Sequence, residues 1–201
     1  MRLADLDPDI LNPHHALYWL WGVWYASWLL SLFWAGRPAK AVRSLSHVPY
    51  QLVTMAGIYL LFVEAAVNYA PHVLWQTSDQ AGRVLFGLTA LCFAFCWWAR
   101  LTMGRLWSGF VSRLENHRIV DTGPFAIVRH PIYTGIIVAS FLLAAEQGTA
   151  EGFAGAVCFV LAFWLKARVE EEFLRAELGP EPYDAYRRRV PMLVPLGSKY
   201  R

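Results

Sequence analysis

"RHPIYTGIIVASFLLAAEQGTAEGFAGAVCFVLAFWLKARVEEEFL", residues 129–174, holds two apolar runs joined by one short polar turn. Charge frames the pair on both outer flanks: Arg129 and His130 before the first run, Lys166, Arg168 and three glutamates after the second. Apolar stretches at 132–146 and 149–165, separated only within "EQGTAEG", predict a helical hairpin that returns the chain to the side it left. Pro131 suits a first helical turn, where its missing N–H costs nothing, and it biases His130 toward extended backbone. The helix would begin there, adding its free N–H groups and dipole to the charge of Arg129 and His130. Such an arrangement is an anion site. On this stretch alone, Arg and His snorkelling to lipid headgroups is an equal alternative.

Three further apolar segments lie upstream, at 16–35, 48–70 and 84–99. Over 201 residues, 57% are hydrophobic and 16% charged, against about 25% charged in an ordinary soluble domain. The predicted fold is therefore all-α: a polytopic integral membrane protein of about five transmembrane helices. It forms a single membrane domain over 1–201, with three spans in 1–99 and the candidate chemistry in 100–201. The start, "MRLADLDPDILNPHH", has no cationic n-region or small-residue cleavage site, so the first apolar segment is expected to be retained.

Basic residues orient the chain. Arg37, Lys40 and Arg43 follow the first span; Arg100, Arg105, Arg113, Arg118 and Arg129 follow the third; eight more follow the fifth. With five spans, 16 of the 18 lysines and arginines fall on one side, leaving Arg2 and Arg83 opposite. The positive-inside rule then predicts the N-terminus outside and the C-terminus in the cytosol, in a bacterial inner membrane. The net charge of +3 reads as this orientation signal and not as a nucleic-acid surface. Cys92, Cys96 and Cys158 all lie in apolar runs, as packing cysteines do, and no metal site is expected. Glu64 in the second span is an intramembrane carboxylate, for which a structural pair with Asn68 is the simpler reading.

The glutamates at 170–172 have an ordinary explanation. Lys166–Glu170, Arg168–Glu172 and Glu171–Arg175 are all i,i+4 pairs on a solvated helix face. The hairpin changes the balance, because it brings this acidic end beside Arg129 and His130 on the cytosolic side. Opposite charges at one site match a ligand carrying a carboxylate and cationic groups together. The methionine part of S-adenosylmethionine is such a ligand.

The order "RHPIYTG", then "RVEEEFL", then Gly179, Tyr183, Tyr186 and Val190–Pro191 resembles the isoprenylcysteine carboxyl methyltransferase family, within a wider group of integral-membrane methyltransferases. The resemblance covers roughly 84–196 and includes "WWARLTMGRLWS" and "HRIVDTGPFAIVRHPIYTG". It implies S-adenosylmethionine bound in a cytosolic helical pocket and a lipophilic acceptor entering from the bilayer. The RHPxYxG positions are Arg129, His130, Pro131, Tyr133 and Gly135. The EExxLxxxFG pattern falls on Glu170, Glu171, Leu174, Leu178 and Gly179, with Leu in place of Phe. "GPEPY" sets three residues between Gly179 and Tyr183 where eukaryotic members have two, which shifts the register of the tail.

The resemblance implies cofactor contacts from Arg129, His130, Pro131, Tyr133, Gly135, Glu170, Glu171 and Tyr183, with Arg129, Glu170 and Glu171 nearest the chemistry; Arg168 is a further cation able to orient an anion or the cofactor carboxylate. The acceptor is open among a carboxylate, a phospholipid amine and a small thiol. An NADPH-dependent membrane lipid reductase also carries an RHP-Tyr pattern, but with Asn before the Tyr and Glu after the Gly, where this chain has Ile132 and Ile136. A non-enzymatic scaffold would use both charge clusters as anchors.

Overall fold

The computed structural model describes residues 13–34, 40–41, 47–66, 72–107, 112–113 and 119–196. The apolar segments are helices: α1 (Pro13–Leu30), α2 (Val48–Ala66), α3 (Asp79–Met103), α4 (Pro131–Gln147) and α5 (Ala150–Leu178). A short α6 (Pro180–Arg189) follows. Extended pairing among the described residues is confined to one isolated bridge, Val73 with Thr149, and a two-residue antiparallel ladder, β1 (Lys40–Ala41) with β2 (Ser112–Arg113).

Local chemistry sets the boundaries. Ser78 caps α3 by accepting from Ala81 N. Pro131 opens α4 at its first turn. Gly148 closes α4 at φ 63°, ψ 31°, and Thr149 immediately caps α5 through Gly152 N at 3.1 Å. Glycine is required at 148 twice over: the backbone is left-handed, and a Cβ would stand 2.2 Å from Trp75 O. The hairpin turn is held from outside by the 72–78 segment, through Leu74 N to Gly148 O, Ala150 N to His72 O, and Trp75 Nε1 to Ala145 O.

The helices alternate in direction. One end gathers the end of α1, the starts of α2 and α4, and the ends of α3 and α5; the opposite end holds the 72–78 segment and the α4–α5 turn. α2 runs against α5 at small residues: a Cβ on Gly57 would lie 3.2 Å from Gly155 O, and one on Gly155 would lie 3.0 Å from Gly57 O. α3 meets α4 at Gly135, where a Cβ would sit 2.5 Å from Cys96 Sγ. Trp21 and Trp24 pack on Phe93 and join α1 to α3.

Arg100 is wholly buried at the end of α3. It donates to Ser31 O at 3.0 Å and Gly104 O at 2.7 Å, satisfying carbonyls at two helix ends, with its guanidinium 4.4 Å from the Trp107 ring centroid.

Two described helices are long and apolar enough to cross a membrane, Asp79–Leu106 and Ala150–Leu178; Val48–Val63 and Pro131–Gln147 are shorter apolar helices. Only 28% and 33% of the two long apolar windows is buried, unlike the core helix of a soluble protein. Leu91, Trp98, Val157 and Leu161 are among the large apolar side chains left exposed, as lipid-facing surfaces require. The fold departs from the sequence reading in length. α3 outruns 84–99 at both ends, and α5 does not stop at 165 but continues unbroken to Leu178. Its charged extension is therefore a rigid arm of the hairpin and not a separate tail. The side chain of Glu64, and Asn68 altogether, lie outside the described residues.

Candidate active site

α4 begins, α5 extends and α6 ends at one place. Arg129 and Glu171 meet there as a two-pronged ion pair, Nε to Oε1 at 2.7 Å and Nη2 to Oε2 at 3.2 Å. Their side chains are only 2% and 4% exposed. The remaining arm of the guanidinium, Nη1, donates to Val190 O and to Arg187 O. Arg129 N donates to Pro191 O at 2.9 Å, His130 N to Met192 O at 3.1 Å, and Thr134 Oγ1 to Leu193 O at 2.6 Å. The apolar segment after α6 is thus laid along the start of α4, and Arg129 is its clamp.

Glu171 gathers more than one cation. His130 Nε2 lies 3.2 Å from Oε1, and an ionised carboxylate only accepts, so Nε2 carries the proton. Arg187 Nε lies 3.3 Å from Oε2. Burial alone would raise the Glu171 carboxyl; hydrogen bonds and charge from His130 and Arg129 outweigh it and hold the carboxyl below its ordinary value.

Glu170 faces differently. Its side chain is 22% exposed, and it accepts from Tyr133 Oη at 2.5 Å, with His130 Nδ1 3.6 Å from its other oxygen. The Tyr133 ring is stacked against His130 at 5.3 Å and against Phe163 at 4.8 Å. Lys166 Nζ stands 5.1 Å from the Tyr133 ring centroid. The Tyr133 ring is thus occupied by the protein's own groups, and Glu170, partly open to solvent, is the carboxylate that fits a ligand bearing sulfonium or ammonium charge.

The i,i+4 ladder gives way to longer-range partners. Glu171 turns to Arg129, while Arg175 grips Asp184 of α6 at 3.0 Å. Arg168 stays exposed, its guanidinium 5.6 Å from the Trp164 ring centroid. Gly135 serves the close approach of α3, and Pro131 is buried at the helix start. Tyr183, 2% exposed, packs with Tyr186 and Val190 against Leu174 and Ile119, and burial raises its phenol. Tyr186 donates to Phe125 O at 2.7 Å.

Two residues of this region were not expected from the sequence. His47 Nδ1 and Tyr50 Oη are 2.8 Å apart at the start of α2, the end of that helix that runs toward the acidic arm of α5. In "SHVPY" they resemble ordinary interfacial aromatics; only the antiparallel α2–α5 contact marks them.

A helical bundle of membrane character, with an Arg–His–Tyr start of one helix closed on a Glu–Glu pair of its hairpin partner, defines a class of membrane methyltransferases. Residues 85–175 match the model of the isoprenylcysteine carboxyl methyltransferase family, and the chain belongs to that family. It is 34% identical over 169 residues to the cobalt-zinc-cadmium resistance protein CzcN of Cupriavidus metallidurans, covering 82% of this chain and 74% of that protein. It is 29% identical to methanethiol S-methyltransferase 2 of Bradyrhizobium diazoefficiens, over 71% of this chain and 58% of that one. It is also 30% identical to the protein-S-isoprenylcysteine O-methyltransferase of Schizosaccharomyces pombe, over 49% and 42%. The chain therefore spans about half the length of these two enzymes.

Proposed function

We propose that this protein transfers a methyl group from S-adenosylmethionine to a lipophilic acceptor at the cytosolic face of a bacterial inner membrane. The observation that carries this reading is Glu170: an accessible carboxylate, hydrogen-bonded to Tyr133 and next to His130. Glu170 would hold the cationic groups of the methionine moiety, and His130 its neighbouring polar atoms. The cofactor supplies an electrophilic methyl carbon. Arg129 and Glu171, with Pro131 at the helix start and Tyr183 buried on α6, keep the start of α4, the arm of α5 and α6 in register, while Gly135 sets α4 against α3. Arg168, on the exposed face, is a cation that would meet the cofactor carboxylate.

The chemistry asks the protein to align two reactants and exclude water. An open apolar groove of about 310 Å³ runs between α3 and α4, lined by Leu88, Leu91, Phe95, Gly135, Val138 and Leu142. It reaches within one turn of Tyr133 and is the path for an acceptor coming from the bilayer. Five spans, with the N-terminus outside, satisfy both this geometry and the distribution of basic residues.

Titration of S-adenosylhomocysteine, and separately NADPH, into detergent-purified protein tests the reading. Saturable binding of S-adenosylhomocysteine alone is expected; NADPH binding without it would replace the proposal with a reductase.

A further inference from the structure

We infer that Lys166 is the acceptor-binding residue of this methyltransferase, selecting an apolar acceptor whose head is negatively charged, a carboxylate or a thiolate, over an amine. The inference rests on the methyl-transfer reading above and names the charge of its acceptor.

Position comes first. Lys166 and Glu170 are spaced as an i,i+4 ion pair. The fold gives each a different partner. Glu170 accepts from Tyr133 Oη and neighbours His130, while the Lys166 ammonium lies 5.1 Å from the centroid of the Tyr133 ring. Both groups stand on one face of α5, about 40° apart around the helix and about 6 Å apart along it. α5 runs from the α4–α5 turn toward its charged arm, so Lys166 is the deeper of the two in the bundle.

Its surroundings set it apart from an anchor. Lys166 follows the apolar run "FVLAFWL", 159–165, and is half-buried. A lysine that only reached for headgroups would extend outward with its charge in water. This one folds over a residue of α4 that belongs to the candidate site, and among the described residues its partner is that ring and not a carboxylate. An ammonium has three donors, of which a ring face occupies little. A charge so placed within a membrane helix is costly, and it points to a ligand of opposite sign.

Depth decides which ligand that is. With the sulfonium held at Glu170, an acceptor on an apolar chain reaches Lys166 one turn before it reaches the methyl group. In the step, an electron pair of the acceptor anion forms the bond to the methyl carbon of the sulfonium donor. The donor's methyl–sulfur bond breaks, and its pair stays on that sulfur as a neutral thioether. A carboxylate is already ionised at neutral pH; a thiol gives its proton to water first, which a neighbouring ammonium favours. Anion and sulfonium neutralise each other, so the ester or thioether formed has no charge for Lys166 to hold. The attraction is strongest before reaction, and Lys166 therefore serves affinity more than rate. An amine reverses the sign, because its attack leaves a new ammonium beside an existing one, and like charges at close range repel.

Dodecanoate, dodecanethiol, dodecylamine and dodecanol share one chain and differ in their heads. Each is titrated calorimetrically, at neutral pH and one detergent concentration, into the full-length protein saturated with S-adenosylhomocysteine. The wild type should bind dodecanoate or dodecanethiol at least about tenfold more tightly than dodecanol, ~1.4 kcal/mol. Preference for the first names a carboxylate acceptor and preference for the second a thiolate. Lys166→Met should bring the preferred probe to within about twofold of dodecanol, and Lys166→Arg should keep the preference. Lys166→Gln repeats the measurement if the methionine variant does not fold. Affinity for S-adenosylhomocysteine should stay within about twofold in every variant. A preference that survives Lys166→Met, dodecylamine as the tightest probe, no preference in the wild type, or loss of S-adenosylhomocysteine from Lys166→Met each overturns the inference. Wild-type protein that binds no S-adenosylhomocysteine overturns the methyl-transfer reading instead.

Discussion

Arg129 and Glu171, 42 positions apart, spend nearly all their hydrogen-bonding capacity on the protein itself. The most basic group in the "RHP" motif is therefore a strut joining α4, α5 and the segment after α6, and the carboxylate left facing outward is Glu170.

Breaking that strut should unfold the site before it alters any chemistry. Arg129→Met leaves a buried carboxylate without its main partner, a loss of about 3–5 kcal/mol. Arg129→Lys should also destabilise, because Lys lacks the planar fork that serves Glu171 and Val190 O together. Thermal denaturation in detergent reads both, and a double Arg129→Met, Glu171→Met protein should recover much of the stability lost by either single change.

Glu170 should behave in the opposite way. Glu170→Gln keeps the size of the side chain and removes only charge that is partly open to solvent. Melting temperature should change little, while affinity for S-adenosylhomocysteine falls at least tenfold, about 1.4 kcal/mol. Calorimetry of the purified variant measures it; unchanged affinity would return Glu170 to an interfacial role.

The Glu171 carboxyl carries a pH signature. Its value is lowered from 4.5 in the folded protein, so its contribution is fully present above about 4.5 and is lost as the pH falls through the lower folded value. Melting temperature measured downward from pH 6 should drop in that acidic window for the wild type. Glu171→Gln should be less stable at pH 6 and show a shallower decline.

Gly148→Ala should weaken the hairpin, since the turn is left-handed and a methyl would meet Trp75 O at 2.2 Å. A loss of more than about 1 kcal/mol is expected, the amount by which a left-handed conformation disfavours an L-residue. Proteolysis within 72–78 should become faster, because Trp75 and Leu74 lose their anchor on the turn.

Topology is open to a direct check. A reporter fused after Arg201 should report cytosol, and one placed in 76–80 should report the outside. A cytosolic signal from 76–80 would defeat the five-span arrangement.

Much of this protein can be read along the chain. Long apolar runs need an apolar surrounding, so a helix covers each of the five runs that hydropathy marks, although α5 runs on well past 165 to Leu178. Pro131 and the "GTAEG" turn dictate the hairpin through local sterics, and the hairpin alone brings "RHP" beside the glutamates. The division of labour within that cluster was decided only in three dimensions. Adjacent residues on a helix point about 100° apart. Glu170 and Glu171, equivalent in the sequence, therefore face Tyr133 and Arg129 respectively, one accessible and one buried. No local rule pairs Arg175 with Asp184, or carries His47 and Tyr50 from the start of α2 to the acidic arm of α5. The placement of α2 along α5 comes from two glycines, Gly57 and Gly155, which let the helices approach closely enough to set a register that neither helix contains on its own.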